Sequence, residues 1–396
     1  MGTLTKIILK KGKEQSIRRF HPWIFSGAIE EITSPVEEGD LVEVYSHDQE
    51  FLAIGHCQVG TIAVRILSFE PVEINDDFWK QKISAACSLR QELGLFLNAQ
   101  TNVFRLIHGE GDGMPGLIVD FYNGTAVMQM HSIGMYLIRE KLAALLKEIL
   151  GNRLLAVYDK SEGCIPEKSG IEVKNGFISG SSPETIVLEY GNKFKINWEE
   201  GQKTGFFIDQ RENRRLLQQY TADKTVLNMF GYTGGFSVYA MRGGASLVHT
   251  VDVSEKAVEL ASENVALNFS DTSRHKAFAT DAFEFMRDID NRYDVIILDP
   301  PAFAKHNSAL HNALQGYKRL NTIAFKKIKA GGILFTFSCS QVVSRDDFRK
   351  IVFTAAAISG RRVRIIHQLE QPADHPVNIF HPEGEYLKGL VLYIEK

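Results

Sequence analysis

The stretch from Val226 to Ser254 reads VLNMFGYTGGFSVYAMRGGASLVHTVDVS. It opens with an apolar run of strand length, Val226-Leu227-Asn228-Met229-Phe230. A glycine-rich turn follows, Gly231-Tyr232-Thr233-Gly234-Gly235. A helical pattern from Phe236 to Met241 is closed by Gly243-Gly244, and a second strand, Ala245 to Val251, ends in Asp252. Strand, glycine turn, helix, strand and acid is the opening of a parallel nucleotide-binding sheet. The glycines let backbone approach a ligand where a side chain would clash. The turn is not G-x-G-x-x-G, so the dinucleotide fingerprint is absent. That favours S-adenosylmethionine over NAD. Taken alone, the turn could also be purely structural.

The chain continues the alternation past Asp252. A helix over Glu255 to Asn268 leads to a third strand, Lys276 to Ala279, ending at Thr280-Asp281. A fourth strand, Tyr293 to Leu298, ends in Asp299-Pro300-Pro301. A fifth, Gly332 to Phe337, ends in Ser338-Cys339-Ser340. Val363 to His367 and Leu387 to Glu395 supply strands six and seven. Repeated βα units closing with two strands in succession predict an α/β fold, a mostly parallel seven-stranded sheet with an antiparallel edge. Polar residues stand at four successive strand ends, Asp252, Asp281, Asp299 and Cys339. Ligands in such sheets lie beyond the carboxyl ends of the strands.

Ahead of this sheet, strand-like runs at Ile7-Leu9, Leu41-Tyr45, Phe51-Gly55 and Ala63-Leu67 predict a small β domain over residues 1–75. Its first twenty residues carry Lys6, Lys10, Lys11, Lys13, Arg18 and Arg19 against only Glu14, followed by Phe20-His21-Pro22-Trp23-Ile24-Phe25. Basic side chains beside aromatics can hold phosphates and stack bases, though a solvated edge looks the same in sequence. Residues 76–190 read as a small α+β domain. It has helices over Phe78 to Leu95 and Met135 to Leu150, a strand–glycine loop–strand hairpin from Arg105 to Asp120, and strands at Ala126–Met130, Leu154–Asp159 and Thr185–Tyr190. Glu110, Asp112 and Asp120 argue against phosphate at the hairpin. Residues 191–396 form the third domain. Its entry, Gly201-Gln202-Lys203-Thr204-Gly205-Phe206-Phe207, is placed to fold over a ligand or simply to connect domains.

Composition narrows the functional classes. The 396 residues are 44% hydrophobic and 23% charged, ordinary for a globular protein, and the net charge is −3. Nucleic-acid binding would therefore need local basic patches. No apolar run reaches membrane-span length. Met1 to Lys13 has no signal-type apolar core, so export is not expected. Cys57, Cys87, Cys164 and Cys339 are widely spaced with no C-x-x-C, which argues against a zinc ribbon or a disulfide framework and fits a reducing cytoplasm. No metal site is expected.

With these residues in view, the chain resembles class I S-adenosylmethionine-dependent methyltransferases. More closely, it resembles the ribosomal RNA large-subunit methyltransferase I family. The resemblance spans RRFHPWIFSGAI, GDLVEVY with FLAIGH, RLIHGEGDGMPGLIVD, GQKTGFFIDQRENR, VLNMFGYTGGFSV, ILDPPAF, GYKRLN, TFSCS and ADHPV with PEGEYLKG. It implies an N-terminal RNA-binding PUA domain, a β-barrel-like fold, then the central α+β domain and a Rossmann-like catalytic domain. It implies methylation of a cytosine at C5 in 23S rRNA, in the cytoplasm, by members that are often homodimers. In that light Phe230, Gly231, Tyr232, Thr233 and Gly234 would wrap the methionine part of S-adenosylmethionine. Asp252 would hold the ribose and Asp281 the adenine amine, while Gln202, Lys203 and Phe206 would close over the site. Asp299 belongs to both the cofactor set and the catalytic set.

C5 of cytosine is a poor nucleophile until a thiolate adds at C6. Cys339 is the cysteine at a strand end in the catalytic domain, beside Asp299; a packed strand-end cysteine is the plainer reading. Pro300 fixes the turn, and Phe303 could stack on an extruded base or pack under the loop. Many RNA cytosine-C5 methyltransferases carry a second cysteine after this diproline. Ala302 stands there instead, so the base for the elimination step is unassigned. Lys305, Lys318 and Arg319, like Lys10, Lys11, Arg18 and Arg19, could touch RNA phosphates. Two other readings stay open: a methyltransferase for an exocyclic amine of guanine or adenine, which needs no cysteine, and a non-catalytic RNA-binding assembly factor.

Overall fold

The computed structural model describes residues 4–165, 170–181, 186–304 and 306–395. The chain divides into two compact units. One comprises Met1–Thr185, Ile196–Phe206 and Ala373–Gly384. The other comprises Ile186–Lys195, Phe207–Pro372 and Glu385–Lys396.

The second unit is built on the predicted seven-stranded sheet. Its strands are β1 (Thr225–Met229), β2 (Leu247–Asp252), β3 (His275–Ala279), β4 (Val295–Leu298), β5 (Ile333–Ser338), β6 (Val363–Leu369) and β7 (Lys388–Ile394). They lie in the order β3-β2-β1-β4-β5-β7-β6. All pairs are parallel except β5 with β7 and β6 with β7. The order runs outward in both directions from β1, which makes the end of β1 the switch point. Val226, Leu227 and Met229 are fully buried, as are Ile296, Ile297 and Leu298. Such runs do not alternate because helices cover both faces. On one face Leu227, Met229, Ile296 and Leu298 pack in one core with Tyr317, Leu320 and Phe325 of α5 (Leu310–Lys327) and Phe348 and Val352 of α6 (Arg345–Ser359). On the other, Phe236 of α2 (Gly235–Arg242) meets Phe337, ring centroids 5.7 Å apart. The remaining helices are α1 (Arg211–Gln218), α3 (Glu255–Asn268) and α4 (Ala282–Phe285).

A hairpin of Ile186–Glu189 with Asn192–Lys195 also belongs to this unit. The sequence suggests one strand over Thr185–Tyr190; Thr185 lies outside the described residues, and Tyr190 is not strand but turn. Tyr190 and Gly191 both have positive φ, 48° and 75°, as a two-residue hairpin turn requires. The hairpin buries Glu189 against Arg214 of α1 in a two-point ion pair of 2.8 and 2.6 Å, and the Tyr239 hydroxyl donates to the same carboxylate at 3.0 Å.

In the first unit a six-stranded sheet contains Thr5–Leu9, Trp23–Phe25, Ile29–Ile32, Leu41–Tyr45, Phe51–Cys57 and Ile62–Ser68. Its core is Ile7, Leu9, Val42, Val44, Val64 and Ile66. Past the helix Asp76–Glu92, a five-stranded sheet holds Val103–His108 and Leu117–Tyr122 as the predicted antiparallel hairpin. The acids near the hairpin's glycine loop have internal partners. Asp120 accepts from Arg105 at 2.8 and 2.9 Å, and Asp112 from Arg90 at 2.5 and 2.8 Å. Arg90 is fully buried. Its remaining donors go to the carbonyls of Arg105, Asp374 and Ala86, at 2.8, 2.7 and 3.5 Å.

Removing one member of a buried pair strands the other charge. Glu189→Gln is therefore expected to destabilise the protein by about 3–5 kcal/mol in urea unfolding. A loss below about 1 kcal/mol, the range of a surface pair, would contradict the burial argument.

Candidate active site

The turn after β1 is held by backbone and by glycine packing. Gly231 N donates to Val251 O at 2.9 Å and Gly234 N to Gly231 O at 2.8 Å. A Cβ on Gly231 would come within 2.4 Å of Thr250 Cγ2, and one on Gly234 within 2.9 Å of Ala261 Cβ. Phe230 and Tyr232 adopt positive φ, 58° and 42°. For residues with side chains that conformation costs on the order of 1–3 kcal/mol and concentrates at functional sites. Asp252, at the tip of β2, stabilises the turn: Oδ2 accepts from Tyr232 N and Oδ1 from Ser254 N, both at 3.0 Å. Asp281, after β3, accepts with Oδ1 from Phe283 N and Glu284 N at 2.9 and 3.0 Å. Its Oδ2, on an exposed residue, has no partner among the described residues. Asn228 Oδ1, beneath the turn, is buried without one.

Asp299 follows β4. Gln210 Nε2 donates to its Oδ2 at 3.0 Å, and Gln210 is itself oriented by Asn213 Nδ2 at 2.6 Å. Burial, then the nearby charge of Asp209, pushes the Asp299 carboxyl up to about 7; the Gln210 hydrogen bond opposes this. Asp209 accepts from the Tyr386 hydroxyl at 2.7 Å. Cys339 follows β5 and is half-buried, with Sγ donating to Pro300 O at 3.8 Å. Its neighbours Ser338 and Ser340 are fully buried. Ser340 Oγ accepts from Ala304 N at 3.3 Å and lies 3.3 Å from the Tyr317 hydroxyl.

The second unit thus gathers the turn 230–234, Asp252, Asp281, Asp299, Pro300 and Cys339 at the carboxyl ends of five adjacent strands. Three carboxylates there would repel a pyrophosphate. They suit ribose hydroxyls, an adenine amine and a cationic sulfonium, so the donor set fits S-adenosylmethionine.

Other predicted residues have different surroundings. Phe303 packs on Tyr317 with ring centroids 4.6 Å apart. Arg319 lies over the Phe283 ring at 4.6 Å, and Lys305 is outside the described residues. Gln202, Lys203 and Phe206 belong to the first unit. There Gly205 N closes a turn on Gln202 O at 2.8 Å, Lys203 has φ 52°, and Phe206 is buried. Thr204 between them bonds Asp120 at 2.6 Å. Of the basic strip, Arg18 is paired with Glu50, and Lys10 Nζ gives one of its three donors to Gly27 O at 3.0 Å. Lys11 and Arg19 are exposed, with no ion pair among the described residues.

Sequence reasoning passed over Gln210 and Lys388. Both lie inside quoted motifs, GQKTGFFIDQRENR and PEGEYLKG, and that was their only signal. Lys388 is buried, and its Nζ donates to Ser340 O at 2.6 Å. Cys57, Cys87 and Cys164 lie in the first unit, and burial raises all three thiols, Cys87 to about 11. Among the described residues no group of acids, histidines and cysteines could hold a metal, and no helix is long and apolar enough to cross a membrane.

The raised Asp299 carboxyl makes stability depend on pH. Unfolded, the group loses its proton near 3.8; folded, near 7. Between these values the folded state binds the extra proton, so its contribution to stability falls as pH rises from about 4 to about 7 and is level above. The stability of Asp299→Asn relative to wild type should climb across that window, read as urea midpoints at pH 5 and pH 8. A difference that does not change with pH would show that Asp299 ionises normally.

Residues 156–388 match the S-adenosylmethionine-dependent methyltransferase family and residues 7–69 a PUA-like domain. The ribosomal RNA large subunit methyltransferase I of Escherichia coli O139:H28 is 37% identical over 391 residues, 97% of this chain and 98% of that protein. Its namesake from Alteromonas mediterranea is 38% identical over 392 residues, 98% of each. Among solved structures, one assigned as a SAM-dependent methyltransferase from Streptococcus mutans superposes with a TM-score of 0.84 at 22% identity, covering 98% of this chain and 99% of that one. A methyltransferase complexed with SAH gives 0.85 at 22% identity with the same coverage. These two share the fold. From its two-domain match and its full-length relatives, the chain is a member of the S-adenosylmethionine-dependent ribosomal RNA large subunit methyltransferase I family.

Proposed function

We propose that this protein methylates C5 of a cytosine in 23S rRNA in the cytoplasm, with Cys339 as the nucleophile. The reading is carried by one observation: the only cysteine of the second unit stands at the tip of β5, its sulfur 3.8 Å from the carbonyl of Pro300 in the Asp299-Pro300 turn. S-adenosylmethionine, when bound, supplies an electrophilic methyl group. Phe230 to Gly234 enclose its methionine part, Asp252 holds the ribose hydroxyls and Asp281 the adenine amine.

The Cys339 thiolate adds to C6 of the extruded base, forming an S–C6 bond and making C5 nucleophilic. Asp299 faces the N3/N4 edge. With its carboxyl near 7 it can donate a hydrogen bond to N3 as electron density builds in the ring. After C5 is methylated, its proton leaves to a base and the S–C6 bond breaks, returning the thiolate. The PUA-like domain is the RNA-binding part. Lys10, Lys11 and Arg19 are cations it offers to phosphates, since Arg18 is paired with Glu50.

Cys339→Ala should abolish methyl transfer while leaving S-adenosylmethionine and RNA binding nearly intact. RNA carrying 5-fluorocytosine at the target should trap the wild type as an adduct stable to denaturing electrophoresis, with the crosslink on the peptide holding Ser338-Cys339-Ser340. The fluorine leaves no C5 proton to lose, so elimination stops. Full activity in Cys339→Ala, with methyl found on an exocyclic nitrogen, would overturn the cysteine chemistry.

A second measurement addresses the cofactor. Each charged hydrogen bond contributes about 1.5–3 kcal/mol. Asp252→Ala should therefore weaken S-adenosylmethionine binding at least tenfold by calorimetry, in a protein that stays folded. Unchanged affinity would place the cofactor elsewhere.

A further inference from the structure

We infer that Lys388 is the fixed countercharge of the Cys339 thiolate, a positioning residue that acts through that sulfur; this rests on the cysteine chemistry proposed above. β7 runs antiparallel to β5, which sets Lys388 opposite Ser338. From there its side chain reaches to the carbonyl of Ser340, at 2.6 Å. The ammonium is therefore held beside the backbone on either side of Cys339, within electrostatic reach of its sulfur.

Lys388 is 3% exposed, and among the described residues no carboxylate lies within ion-pair distance of it. An ammonium has three donors, and the Ser340 carbonyl takes one of them. A buried charge is normally matched by an opposite one. The charged and titratable groups around it are few. Glu385 favours its charge but is joined to Arg345, with Nε to Oε1 at 2.9 Å, and Arg345 opposes it. Tyr317, from α5, reaches Ser340 Oγ. Cys339 is the remaining group that can become an anion, and it is also the strongest of the neighbours that favour the ammonium. Burial brings the Lys388 amine down to about 8, which leaves it mostly charged at neutral pH, and the cysteine pulls in the other direction.

A hydrogen bond to one backbone carbonyl does not need a buried cation; a neutral amide could make it. A cation at this position has a further effect. It favours the thiolate over the thiol, as positive neighbours do at reactive cysteines. The thiol proton leaves to solvent and Lys388 keeps its own, so no proton passes between the two. The coupling is reciprocal: the thiolate also favours the charged amine.

The test is alkylation of Cys339 by iodoacetamide against pH, on the full-length protein without RNA, read on the Cys339 peptide by mass spectrometry. In Lys388→Met and in Lys388→Gln, which keeps a donor for the Ser340 carbonyl, the midpoint should rise by about one pH unit or more. In Lys388→Arg it should stay near wild type. Methylation at pH 7 should fall about tenfold in kcat for Met and Gln, recover as pH is raised, and leave the KM for RNA unchanged. An unmoved midpoint in both neutral variants would overturn the inference. If those variants do not fold, Cys339→Ala supplies the reciprocal measurement: the Lys388 amine, titrated by nitrogen NMR, should lose its proton at lower pH, and no change would overturn the inference equally. Trapping by 5-fluorocytosine RNA separates the two claims. A moved midpoint without trapping keeps the ion pair and defeats the cytosine reading, whereas trapping with an unmoved midpoint defeats Lys388 alone.

Discussion

A parallel sheet covered on both faces leaves its carboxylates one place to go. The strands β1, β4 and β5 are buried along most of their length, and an unpaired polar side chain within them would carry the full cost of desolvation. Polar side chains therefore collect where the strands end. Because each crossover returns the chain to the same side, all the carboxyl ends of the parallel strands meet at one edge. Asp252, Asp281, Asp299 and Cys339 share that edge for this reason, and the candidate site follows from the topology before any ligand is considered.

Within that edge the acids differ in their partners. Asp252 accepts two backbone N–H groups and Asp281 also accepts two. Asp299 receives only a side-chain amide, lies deeper, and has Asp209 nearby. Three acids of one chemical type thus differ in surroundings: two are tied to backbone N–H groups, and the third, Asp299, can carry a proton at neutral pH. Burial and partner count set that division.

Much of this was legible in the sequence because it was local. A strand followed by a glycine turn fixes Phe230 to Gly235, and a strand followed by Asp-Pro-Pro fixes Asp299. Cys339 could be placed on the same grounds. Interactions that join distant parts of the chain were not legible. The side of the Tyr190-Gly191 turn that pairs with Glu189 was missed, since Tyr at positive φ leaves no mark in the sequence. Arg18 reads as a free cation until folding sets it beside Glu50. Lys388 has no distinguishing mark near the start of strand seven, and only the antiparallel pairing with β5 reveals it as a buried charge near Cys339.

The fully buried Arg90 donates one of its hydrogen bonds to the carbonyl of Asp374, 284 residues further along, and the Asp374 carboxylate also accepts from the backbone N–H of Arg105. The first unit is therefore completed by a segment made long after Arg90 itself. During translation its guanidinium must wait, with part of its partner set still inside the ribosome. Contacts of such long separation close slowly, because the whole intervening loop must be ordered first. The chain changes unit five times along its length, so no single cut would release an intact N-terminal half. A nascent chain halted before residue 373 would leave Arg90 short of an acceptor, and a deletion around Asp374 would be felt in a unit most of which precedes it by some two hundred residues.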